Sequence, residues 1–164
     1  MKHSAAQVRA KRDKFWRDIL ERRTALSSFH KFEPRERVEI VKEGVPARFA
    51  VVISEDMSIP KDRLYSTIGL ARATMNRKVR DHEVLNPDES ERVVGIARLV
   101  GQAESIVKES GNPKGFDAAK WTAAWLEEPQ RALGGKRPAE LMDTSEGRGI
   151  VSDLLARMQT GAYA

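Results

Sequence analysis

Asn86-Pro87-Asp88-Glu89 is the strongest local signal in the chain. Asparagine is a favoured helix cap. Proline suits the first helical position, where its missing N–H needs no partner, and the glutamate can reach back to the cap's own N–H. Behind this start Val93, Ile96, Ala97, Val100, Ala103 and Val107 recur at helical steps until Gly111-Asn112-Pro113. The spacing predicts a helix over 86–109 with one long apolar face. A face of that length needs covering, so the rest of the chain must supply elements that pack on it.

The other segments repeat the helical period. Residues 4–28 read as a helix in which Val8, Phe15, Ile19 and Leu26 form an interrupted stripe beside Trp16 and Leu20. Arg9, Lys11, Arg12, Lys14, Arg17, Arg22 and Arg23 coat the remainder. Three readings of this basic segment stay open: a solvated arm, a helix packed on the next domain, or an arm that contacts phosphates. Glu33-Pro34 opens a second helix, Arg35 to Lys42, ending at Gly44. Val45-Pro46 starts a third through Phe49, Val52 and Ile53. Phe116 to Glu128 forms an aromatic-rich helix with Trp121 and Trp125, stopped by Pro129. The expected fold class is all-α.

Residues 59–81 carry a second signal. Pro60-Lys61-Asp62 starts a short helix with Leu64 and Ile68 inward, Gly69 breaks it, and another helix begins near Ala71. Helix, glycine-containing turn, helix is a helix-turn-helix arrangement. Leu70, Met75 and Val79 are expected to anchor the second helix, leaving Arg72, Thr74, Asn76, Arg77 and Lys78 mainly outward. Lys61 to Arg80 holds six basic residues and one acid. Such cations neutralise phosphates, arginine bridges two acceptors on guanine, and asparagine does the same on adenine. Ala71 offers no side-chain cap.

Charge divides the chain in the same sense. Residues 1–83 hold 19 Lys/Arg against 12 Asp/Glu, whereas 84–164 hold 10 against 12. The basic front is expected to face nucleic acid and the near-neutral back to face protein. There is no cysteine, so disulfides and thiolate metal sites are excluded. His3 and His30 lack partners at metal-ligand spacing, and no metal or cofactor is expected. No apolar run reaches membrane-spanning length, and the basic N-terminus lacks the apolar region of a signal peptide. A cytoplasmic protein with no membrane contact is expected. Gly135-Lys136 is not a phosphate loop: position 130 is Gln, and Arg137 stands where a hydroxyl would hold magnesium. No catalytic residue is expected.

The last fifty residues run Trp125-Leu126, Pro129, Leu133-Gly134-Gly135, Pro138, Leu141-Met142-Asp143-Thr144 and Gly147. Ile150 follows, then Val151, Leu154, Leu155 and Met158 on one helix face, then Gly161 and Tyr163-Ala164. Gly134-Gly135 permits a tight connection, Pro138 can open a short helix, and Gly161 sits where a helix stops. This order of unlike residues resembles the toxin-binding domain of the Xre/MbcA/ParS family of antitoxins, over about residues 84–164. Gly69 to Lys78 is similar to the Xre-like segment that precedes it in that family.

The resemblance implies a basic N-terminal helical arm at 1–32, an Xre-like helix-turn-helix DNA-binding domain at 33–83 and a toxin-binding domain at 84–164. It implies the antitoxin of a type II toxin–antitoxin system, not an enzyme. The partner would be a RES-domain toxin, resembling ADP-ribosyl-transferase folds, that consumes NAD or modifies a target with it. Gly161, Tyr163 and Ala164 would enter its active-site cleft, with Leu133, Gly134, Gly135 and Arg148 as further contacts. A homodimer within a larger complex would repress its own operon through Arg72, Thr74, Asn76, Arg77 and Lys78. The rival expectation is a helix-turn-helix regulator whose C-terminal domain senses a ligand or partner.

Overall fold

The computed structural model describes residues 4–159 and residue 161. Its α-helices are α1 Ala5–Leu20, α2 Pro34–Glu43, α3 Arg48–Asp56, α4 Lys61–Thr67, α5 Arg72–Arg80, α6 Pro87–Glu109, α7 Ala118–Leu126 and α8 Ser145–Gln159. Short 3-10 turns lie at Leu26–Lys31, Arg131–Leu133 and Pro138–Leu141. Among the described residues no strand forms, only an isolated antiparallel bridge between Pro46 and Val84. The protein is all-α.

α6 is the spine, and its start follows the reading of its cap. The Asn86 side chain accepts from the Glu89 N–H at 2.8 Å, and the Glu89 carboxylate accepts from the Asn86 N–H at 2.9 Å. Val93, Val94, Ile96, Ala97, Leu99, Val100 and Ala103 are all buried. A single stripe would not bury both Val94 and Leu99; α6 is covered on more than one side. The Leu26–Lys31 turn and α2 pack on it, as do α7 and α8.

Two glycines of α6 let neighbours approach. A Cβ on Gly101 would meet the His30 Cβ at 3.1 Å, and one on Gly95 would meet the Arg148 Cδ at 2.7 Å. α8 runs along α6 in the same direction. Arg148 lies beside Gly95, Ser152 exchanges hydrogen bonds with Gln102 at 2.9 Å, and Gln159 donates to Glu109.

The first helix is shorter than its sequence suggests. It ends at Leu20 rather than running to residue 28, because Arg22 turns to φ 60° and its guanidinium reaches back to Glu55 and Asp56 at the end of α3. Leu26 and Phe29 then enter the core from the separate 3-10 turn. Phe15 packs against Trp16, Phe29, Phe32 and Phe49 with ring centroids 5.0–6.2 Å apart. Lys11 pairs with Glu36 at 2.7 Å and Arg12 pairs with Glu43, both on α2. Of the three readings of this segment, the described part has the packed geometry.

α8 offers a matched test of backbone crowding. A Cβ on Gly147 would overlap the Leu141 carbonyl, whereas one on Gly149 meets nothing within 4 Å. Gly147→Ala is expected to cost roughly 1–3 kcal/mol or more. Gly149→Ala should gain about 0.5–1 kcal/mol from helix propensity. Thermal unfolding should therefore move in opposite directions for the two variants.

Candidate nucleic-acid and partner interfaces

α4 and α5 are joined by a turn that only glycine serves well. Gly69 has φ 71°, and a Cβ there would also meet the Arg92 Nη1 at 2.7 Å and the Asp143 Cβ at 3.2 Å. The Leu70 N–H then donates to the Tyr65 carbonyl at 2.8 Å. Met75 is fully buried, and Leu70 and Val79 pack partly buried against the core, as their spacing led us to expect. Ala71 holds the cap position without a side-chain acceptor.

The five candidate residues of α5 do not share one environment. Arg72 is exposed at the first helical position, its Nε 3.0 Å from Asp62 Oδ2. Arg77 is exposed and pairs with Glu83 at 2.5 Å. Thr74 and Asn76 are half-buried, and Asn76 Oδ1 is buried without a hydrogen-bond partner. Lys78 is not on the outer side. It pairs with Glu89 at 2.6 Å, and both side chains are only 13% exposed. The periodicity contained this signal: Lys78 stands one helical step from the buried Met75. Asp62 and Glu83, missed in the sequence, are the carboxylates that hold the two exposed arginines.

The C-terminal half presents a different surface. Gly134 and Gly135 take φ 64° and 84°, and the Gly135 N–H donates to the Gln130 carbonyl at 2.9 Å. Both are exposed, with no atom within 4 Å of a built Cβ, so the turn's handedness requires them and packing does not. Leu133 is half-buried against the core. Arg148 turns inward: its Nη1 donates to the Met142 carbonyl at 3.2 Å, beside Gly95. Burial pushes this guanidinium below its ordinary pKa, opposed by nearby Glu91. The sequence places Arg148 among the contact candidates; in the structure its stem packs on α6 at Gly95.

α8 buries Val151, Leu154 and Leu155 but not Met158, which is 39% exposed where it was expected on the buried face. Ile150 is 42% exposed. α8 begins on the Thr144 hydroxyl, which accepts from the Gly147 N–H at 3.0 Å. Gly161 is exposed with φ 66°, while Tyr163 and Ala164 lie outside the described residues.

The two surfaces meet along a polar seam. Arg92 of α6 donates through Nη1 to the Ile68 carbonyl at 3.0 Å and to the Asp143 carbonyl at 2.5 Å. Arg63 of α4 and Arg137 both reach Glu127, at 3.0 and 2.7 Å. Beside the seam lies a cleft of about 380 Å³ floored by Met57, Ile59, Leu64, Ile96, Ala123 and Leu126. Among the described residues no group of three or more His, Cys, Asp or Glu could hold a metal ion. None of their helices is long and apolar enough to cross a membrane.

Comparison with known proteins gives the class of this two-part helical chain, the antitoxins of toxin–antitoxin pairs. Residues 36–98 match the antitoxin Xre-like helix-turn-helix domain. Residues 114–161 match the antitoxin Xre/MbcA/ParS C-terminal toxin-binding domain. A Prs ADP-ribosylating antitoxin of Sphingobium sp. (strain YBL2) is 40% identical over 144 residues, covering 85% of this chain and 88% of that one. An Antitoxin Xre of Yersinia enterocolitica is 27% identical over 135 residues, 80% of this chain and 86% of its own. Another, of Photorhabdus laumondii, is 25% identical over 123 residues, covering 74% and 77%. The chain belongs to the Xre/MbcA/ParS family of antitoxins.

The unequal burial of Lys78 and Arg77 separates structure from surface. Lys78→Ala leaves a largely buried Glu89 with only the Asn86 N–H as partner and should cost about 1–3 kcal/mol. Arg77→Ala breaks an exposed pair and should stay within about 0.5 kcal/mol. Urea unfolding of the two variants measures the difference.

Proposed function

We propose that this chain is the antitoxin of a type II pair whose toxin is of the RES class, an NAD-consuming or ADP-ribosylating protein. Its C-terminal region occludes the toxin's active-site cleft, and its helix-turn-helix unit represses the shared operon as a homodimer within a larger complex. One coincidence carries the reading. The stretch matched to the toxin-binding domain contains α8, the helix that keeps Ile150 and Met158 in water. Exposed apolar side chains on a helix that leads into the chain's end suit capture by a partner's cleft. The Sphingobium relative's name joins an antitoxin to ADP-ribosylation, which supports a toxin of that chemistry. The unit boundaries we propose are 1–32, 33–83 and 84–164.

In this reading Gly161 lets the following residues leave α8, and Tyr163 and Ala164 enter the cleft, with Tyr163 stacking where a ring of NAD binds. Leu133, Gly134 and Gly135 form a second contact. Arg148 acts at a distance by fixing α8. Deleting residues 160–164 should weaken neutralisation at least tenfold when the toxin is titrated with antitoxin and its NAD turnover is followed. Full inhibition by the truncated chain would remove the tail from the mechanism. Arg77→Ala should weaken operator binding in a gel shift and lower the magnitude of the salt slope by about one.

One observation favours a second reading, a regulator whose C-terminal half senses a small ligand: the apolar cleft between α3–α4 and α6–α7. Purification after co-expression with the neighbouring gene separates the two. A stoichiometric protein complex supports the antitoxin, and a retained small molecule without a protein partner supports the sensor.

A further inference from the structure

We propose that Asp62 is a positioning residue that sets Arg72 to read a guanine in the major groove. This deepens the duplex-binding reading above and rests on it.

The argument starts from where α5 holds its cations. A recognition helix brings its N-terminal residues to the base edges. Arg72 is the first residue of α5, its side chain 71% exposed. The cations further along are engaged elsewhere: Lys78 is drawn inward by Glu89, Arg77 is held by Glu83, and Arg80 by Asp81 at 2.9 Å. Asn76 has its carbonyl oxygen buried, so it lacks the free pair of atoms that a bidentate contact with adenine uses.

The atom through which Arg72 is held decides the chemistry. Asp62 Oδ2 makes its closest approach to Nε, at 3.0 Å, as an ion pair rather than an aligned hydrogen bond. With the carboxylate nearest Nε, the terminal nitrogens are left to form the end-on fork that matches guanine O6 and N7. Arg77, by contrast, is held through a terminal nitrogen, which breaks its fork.

Asp62 is partly buried. It lies in the first turn of α4, where the helix end favours a carboxylate. Its Oδ1 is buried without a hydrogen-bond partner, so one oxygen faces in and the other faces Arg72. Tyr65, one turn further along α4, is fully buried and also unpartnered at its hydroxyl. Burial first, and Asp62 second, push that hydroxyl above its ordinary pKa. An exposed ion pair adds little stability. Its consequence here is orientation, because a pre-set guanidinium loses less freedom when it meets a base.

The test selects duplexes from a random library with the full chain, then measures affinity for single-base variants of the selected site. The wild type should prefer one G·C pair at which replacement costs about five- to 150-fold. In Asp62→Asn that penalty should fall below threefold, with other positions unchanged. Arg72→Lys, which keeps the charge but loses the fork, should do the same, and the double variant should lose nothing more. Asp81→Asn removes an equal charge from the same surface and should keep every preference. An Asp62→Asn variant that retains the wild-type penalty at every pair overturns the proposal. So does one whose affinity shifts uniformly across sequences, since Asp62 would then act only as bulk charge. A wild-type chain that binds no duplex at low salt is a different result, removing the duplex-binding reading itself.

Discussion

Burial of α6 on several sides is the constraint from which the rest follows. A long helix with one apolar stripe needs one partner surface, but Val94 and Leu99 are buried as well as the expected face. The chain meets this demand from both ends. The Leu26–Lys31 turn approaches at Gly101, and α8 approaches at Gly95. Each glycine removes the Cβ that would hold a neighbour away. Residues far apart in sequence therefore share one core, and the helix-turn-helix unit is braced by segments before and after it.

The same core explains how a basic chain uses its charge. The N-terminal stretch looked able to contact phosphates, yet Lys11, Arg12 and Arg22 face carboxylates of α2 and α3. These pairs surround the Phe15–Phe29–Phe32–Phe49 cluster, whose burial supplies the energy; the partly exposed ion pairs select the geometry around it. These pairs cancel within the net charge of +5, which therefore does not say which cations lack a carboxylate partner. In the proposed duplex-binding reading, the surface electrostatics that matter are local, at Arg72 and Arg77, and are set by single carboxylates rather than by total charge.

Much of the fold was legible because its signals were local. The Asn86 capping box, Pro34 and Pro87 at helix starts, Gly44 and Gly69 at breaks, and the Met75 anchor all follow from a few adjacent residues. The misreadings have one cause: each depended on a partner distant in sequence. α1 stops at Leu20 because Arg22 finds Glu55 and Asp56 some thirty residues on. Lys78 goes inward because Glu89 waits at the start of α6. Arg148 goes inward because Gly95 leaves room. Met158 stays in water although its spacing matches Leu154 and Leu155, in the last turn of α8, where Gln159 meets Glu109 at the end of α6. Helical period says which face a residue shares, not whether a neighbour extends far enough to cover it.

Arg92 shows why the two surfaces cannot be regarded as independent modules on a tether. It leaves the second turn of α6, is held by Asp88 at 3.1 Å, and bonds two carbonyls at once. One, Ile68, closes α4 just before the turn of the helix-turn-helix; the other, Asp143, immediately precedes the Thr144 cap of α8. Gly69 lies under that guanidinium and beside Asp143, so a side chain there would press on both. The contact is charge-assisted and partly screened from water, the condition in which such a bond is strongest. The start of α8 and the presentation of α5 are therefore fixed by a single side chain rooted in the spine. The helix-turn-helix match runs from residue 36 to residue 98 and so takes in Arg92 and the first turns of α6.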